Sequence, residues 1–168
     1  MLARHTLAAV AFAALIPAQA HAQSAADLVR EGRFDEAAAL VVNAGPQERS
    51  DVARLIFDQA YTSGHQSGDY EYAIRGFTAG KRLVSMSDPM YEQLSFWHGF
   101  ALFNAAVREA AAQTLASAEL TLPMFEQAME LFASAGDYPA RVNVNMTQLL
   151  ENADTYIEIQ EAVIRRGR

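Results

Sequence analysis

Apolar residues along most of this chain recur at steps of three and four, and from Gln23 onward no stretch alternates apolar and polar β-branched residues in the manner of a strand. Ala is abundant, which favours helix. The spacing predicts helices at about 24–31, 34–44, 47–63, 69–85, 89–110, 114–134 and 139–166. The breaks between them have physical reasons. In Gly45-Pro46 the glycine closes one helix and the proline suits the first turn of the next. In Asp88-Pro89 the carboxylate can accept from the free amides while the proline takes the first helical position. Gly136-Asp137-Tyr138-Pro139 is a third break of this kind.

The first segment has a different pattern. A short basic start, Met1 to His5, precedes an unbroken apolar run from Leu7 to Ile16, then Pro17 and the small-x-small sites Ala18-Gln19-Ala20 and Ala20-His21-Ala22. This predicts a secretory signal peptide over 1–22, cleaved after Ala22 or, as an alternative, after Ala20. An uncleaved membrane anchor is the competing reading, but a bilayer-spanning helix needs roughly 20 apolar residues. The expectation is one helical domain over 23–168, with no stable membrane insertion after cleavage. A short Ala-rich signal, and only one Lys among 13 basic residues, point to a periplasmic or secreted bacterial protein.

Within the helical part the sequence repeats. Gly32-Arg33-Phe34-Asp35-Glu36-Ala37 returns 36 residues later as Gly68-Asp69-Tyr70-Glu71-Tyr72-Ala73, and Phe125-Glu126-Gln127-Ala128 keeps the aromatic-acid-x-Ala portion. Val41, Phe77 and Phe132 each lie four residues beyond the Ala. Aromatic, Ala and large apolar residue thus share one stripe of a helix, with the Ala permitting close approach by a neighbour. Gly-x-aromatic-acid-x-Ala at the turn into a second helix resembles the tetratricopeptide repeat (TPR) over roughly 23–85, and more weakly over 89–134. The Trp-Leu-Gly pattern of the family's first helix is not clean in any unit, and Gly45-Pro46 comes earlier than the family's closing proline. The resemblance implies an all-α fold of antiparallel helix pairs, stacked as a short solenoid of two to three units. Pro123 either kinks the second helix of the third unit or lies just after a new start capped by Thr121. The last predicted helix carries Met146, Leu150, Ala153, Ile157, Gln160 and Ile164 at steps of four and three. It is read as a long C-terminal cap on the stack, with an amphipathic partner-binding helix as the alternative.

Composition narrows the chemistry. The chain has no Cys, so disulfides, thiol nucleophiles and Cys-ligated metals are excluded. A net charge of -7 argues against nucleic acid as a partner. No His-Glu-x-x-His, Gly-Lys-[Ser/Thr] or Gly-x-Ser-x-Gly motif is present. Beyond the signal only His65 and His98 remain. His65 is expected exposed in the turn 63–68, and His98 packed and hydrogen-bonded beside Trp97. Asn145-Met146-Thr147 matches a glycosylation sequon and is read as chance in a bacterial protein. No catalytic, cofactor-binding or metal-ligating residues are assigned.

What remains is a surface. Phe96, Phe100, Phe103 and Val107 form a core stripe, and the adjacent face of the same helix carries Trp97, Ala101, Asn104 and Arg108. The TPR resemblance implies that first helices line a concave groove, which adds Asp58, Tyr61 and Thr62; Arg54 is expected to face solvent nearby. Core packing is the competing reading for Trp97 and Tyr61. The predicted partner-binding groove is therefore Arg54, Asp58, Tyr61, Thr62, Trp97, Asn104 and Arg108. Its expected occupant is a peptide or protein of the cell envelope, with self-association as one way to lengthen so short a groove. The resemblance implies an adaptor or scaffold. A carrier enclosing a small apolar ligand among Phe96, Trp97, Phe100, Phe103, Met124 and Met129 is the alternative.

Overall fold

Two glycines in the left-handed region set the rhythm of the first four helices. Gly32 has φ 73° and Gly68 φ 79°, values that favour a residue without Cβ, and each lies in the turn that sends the chain into its next helix. That requirement explains why Gly heads both copies of the 36-residue repeat. The structure is a computed structural model and describes residues 23–167; the expected signal peptide at 1–22 lies outside them.

Among the described residues there are eight α-helices and no strand. They are α1 (Ala25–Arg30), α2 (Phe34–Val41), α3 (Pro46–Ala60), α4 (Tyr70–Lys81), α5 (Pro89–Ala110), α6 (Leu115–Ala133), α7 (Tyr138–Arg141) and α8 (Met146–Gly167). A π-helical turn, Tyr61–His65, continues α3. Consecutive helices pack on one another from α1 to α6, and α8 packs on α6. Within α1/α2, α3/α4 and α5/α6 the two helices are joined by a short connection and pack on one another, making three helical hairpins. None of the described helices is long and apolar enough to cross a membrane.

The expected punctuation is present. Pro46 and Pro89 begin α3 and α5, and Asp88 Oδ1 accepts from the Met90 amide at 2.9 Å. Asp69 likewise accepts from the Tyr72 amide at 3.0 Å, capping α4. Thr114 and Ser117 form a reciprocal cap on α6.

Four details differ from the sequence expectation. α2 and α4 stop at Val41 and Lys81, several residues early. Pro123 lies inside a continuous α6, and Thr121 starts no new helix, because its hydroxyl donates back to the Ser117 carbonyl at 2.8 Å. The partial third repeat, Phe125 to Ala128, falls in the middle of α6 rather than at a turn. The last helix is divided: Asn143, at φ 58°, turns the chain, and Asn145 Oδ1 then accepts from the Gln148 amide at 3.2 Å to start α8. The apparent sequon is thus a helix cap.

Small residues carry the closest contacts, as the repeat suggested. Ala37, Ala53, Ala60 and Ala73 are fully buried, and a Cβ at Gly76 would stand 2.4 Å from the Ala60 Cβ. Phe34, Ile56, Phe57, Phe77 and Leu94 fill the core between α1 and α5. A second core, with Phe96, Leu131, Phe132 and Leu149, binds α5 to α6 and α8. A third joins Ala106, Ala110 and Phe125 to Phe103, Tyr156 and Ile157. On α8 the buried positions are Leu149, Ala153 and Gln160, so the packed stripe is rotated toward Leu149 from the predicted one, leaving Met146, Leu150, Ile157 and Ile164 half-buried on its flank.

Candidate functional site

α3 with its π turn, and α5, lie side by side and bring one stripe from each together. Along α3 the stripe runs Arg54, Asp58, Tyr61 and His65; along α5 it runs Gln93, Trp97, Phe100, Asn104 and Arg108. The two meet where the Tyr61 and Trp97 rings cross edge to face, centroids 4.7 Å apart. Both rings are half-buried, so each packs against the core and still presents an edge outward.

The π turn shapes this wall. Gln66 N–H donates to the Tyr61 carbonyl, a bond spanning five residues, and the widened turn sets the Tyr61 and His65 rings in a stack 5.7 Å apart. Gly64 allows the turn to press on α4: a Cβ there would lie 2.7 Å from the Ala73 backbone nitrogen. His65, expected exposed, is instead half-buried, with Trp97 at 5.0 Å, Phe100 at 5.5 Å and Tyr70 at 5.8 Å between ring centroids. Desolvation among these rings holds its pKa below the usual histidine value. Its Nδ1 is buried and has no hydrogen-bond partner among the described residues.

The wall is braced at both ends. At one, Trp97 Nε1 donates to the Tyr138 hydroxyl at 3.0 Å, while Arg54, Gln93, Tyr138 and Arg141 line a recess of about 490 Å³. Arg141 pairs there with Glu92 at 2.7 Å. At the other end Arg108 donates to the Gly68 carbonyl at 3.1 Å and lies over the Tyr70 ring, 5.4 Å from its centroid.

The predicted groove residues therefore fall into three groups. Tyr61, Trp97 and Arg108 are brought together on one wall, but as packed or tethered groups, with Arg108 tying α5 to the α3–α4 turn. Arg54, Asp58 and Thr62 are exposed on α3 and its π turn; the Thr62 hydroxyl donates to the Asp58 carbonyl at 2.7 Å. Asn104 is half-buried and spends its amide donor on the Phe100 carbonyl at 2.7 Å, within its own helix. Sequence reasoning missed His65, Tyr70 and Tyr138. The signal for His65 was its step of four from Tyr61, hidden by the glycines around it.

The alternative lining is mostly core. Phe96 is fully buried against Phe100, Phe132 and Tyr138, and Phe103 packs on Phe125 and Tyr156. His98 is packed as expected, its Nε2 3.3 Å from the Thr78 hydroxyl. Burial, aided by the Lys81 charge, pushes its pKa down to about 4. Among the described residues no cluster of His, Asp and Glu side chains is arranged to hold a metal ion. Compared with known proteins, the chain matches no family model, no curated protein and no solved structure.

Proposed function

We propose that this protein is a non-catalytic, TPR-like adaptor of the bacterial periplasm that holds a peptide or protein segment against the α3–α5 face. The reading takes the three hairpins as stacked repeat units and α8 as the element that closes the stack. One observation carries it: the half-buried wall of Tyr61, His65, Trp97 and Phe100, rimmed by the exposed Arg54, Asp58 and Thr62. Aromatic groups fixed by the core and edged by charge are what protein interfaces use as anchors, because they bury area at little cost in side-chain entropy. The exposed guanidinium of Arg54 at one end favours a segment that carries a carboxylate there. A face this short supports modest affinity unless the protein or its partner is multivalent.

The test is a mild-salt pull-down of the chain from Gln23 onward, from envelope extracts of its own organism, beside the double variant Arg54→Glu, Asp58→Arg. Both positions are exposed, so Tm should hold within a degree or two. A stoichiometric protein retained by the wild type and lost by the variant is the expected result. Equal retention by both would remove the α3–α5 face from the function.

A further inference from the structure

At the far end of the molecule from the Arg54 recess, the last turns of α5, the α5–α6 turn and the C-terminal half of α8 line an open cavity of about 740 Å³. Its walls are apolar for the most part, with Val107, Leu115, Tyr156 and Val163 among them. That volume falls within the range of cavities that take small organic ligands. Three polar side chains, Gln113, Gln160 and Arg166, interrupt the apolar lining, the last two from α8. Gln160 is only 3% exposed, yet its amide has no hydrogen-bond partner among the described residues. Arg166 stands on the same helix at the cavity wall, exposed, and forms no ion pair among the described residues, whereas its neighbour Arg165 is paired with Glu161.

The Gln160 amide spends no hydrogen bond on the fold and faces the pocket, where it is free to meet a ligand. On a helix the six steps from Gln160 to Arg166 span about 9 Å, so the cavity offers two polar points separated by an apolar stretch. We infer that this cavity is a ligand site for an amphipathic carboxylate, whose acid group pairs with Arg166, whose apolar chain lies along Val163 and Tyr156, and whose hydroxyl or carbonyl at the opposite end meets the Gln160 amide. A guanidinium favours a carboxylate over a neutral or cationic head. The amide, able to donate and accept, discriminates ligands that bring a polar group to that depth from those that do not. The site shares no lining residue with the α3–α5 face and does not depend on its function.

The experiment is titration calorimetry of the intact chain with ω-hydroxydecanoate, decanoate and decyltrimethylammonium, each below its micellar concentration. The expected result is one-to-one binding, with ω-hydroxydecanoate about tenfold tighter than decanoate and the cation weakest. Gln160→Leu should abolish the preference for the hydroxyl. Arg166→Gln should weaken both carboxylates about tenfold at unchanged Tm, because the position is exposed. It keeps the test open should Gln160→Leu fail to fold. No binding of ω-hydroxydecanoate at about 1 mM would overturn the assignment, and so would binding that ignores either substitution.

Discussion

The imidazole of His98 makes stability depend on acidity. It is neutral when folded down to about pH 4, whereas in the unfolded chain it gains a proton near its ordinary value of 6.5. Between those limits the unfolded state binds more protons, so stability falls as pH drops from 6.5 toward 4, by about 3 kcal/mol at full extent. His65, also lowered, adds in the same direction. His98→Gln keeps a partner for Thr78 and should flatten this part of the pH curve, as measured by urea unfolding at pH 7 and pH 4.5. Gly76 is a second residue whose chemistry is set by its surroundings, since a methyl there would overlap Ala60 on the facing helix. Gly76→Ala should lower stability by about 1–3 kcal/mol, in spite of the better helix propensity of Ala, and thermal unfolding will show it. The fully buried Ala37 and Ala73 were legible in the sequence because they repeat. The role of His65 was not, because it depends on a turn type that no local composition specifies.

At the scale of elements, the boundaries that carry Pro or a cap were readable, and those without them were not. α3 and α5 begin at their prolines, but α2 and α4 end where no Gly or Pro marks the stop. The division of the last helix was hidden for a similar reason: Asn143 and Asn145 are weak signals inside a stretch whose apolar period runs on. Asn143 tolerates the left-handed conformation at φ 58°, and a β-branched residue does not. Asn143→Gly should therefore leave Tm unchanged or raised, while Asn143→Val should cost about 1–2 kcal/mol, read by differential scanning calorimetry. α6 shows the converse, a Pro read as a kink or as following a new start, which a 19-residue helix accommodates at an exposed position.

For the whole molecule, the order of packing tracks the order of the chain, and the core is divided accordingly. Phe34, Phe57 and Phe77 belong to the first core, whereas α8 is held through Leu149, Ala153 and Tyr156 at the other end. Hydrogen exchange should reflect this division, with α8 amides exchanging faster than those of α4 and α5, and Gly76→Ala lowering protection in α3 and α4 more than in α8. Uniform protection, lost uniformly, would show instead that the three cores unfold as one. The all-α architecture and its first two hairpins were legible from the period and the repeat. The cavity beside α8 was not, since Gln160 reads as one polar residue in an apolar stripe and its isolation becomes visible only once α5 and α6 close around it.

The π turn after α3 has a consequence that can be counted in residues. A helix advances about 100° with each residue, so a turn holding one extra acts as a phase shift between the helix before it and the chain beyond it. Deleting one residue from Thr62 or Ser63 would yield a more regular helix, yet it would swing the Gly68 turn around the axis and pull His65 out of register with Trp97. The irregularity is what allows the stripe on α3 and the start of α4 to be correctly aimed at once, and a straighter helix would satisfy only one of them.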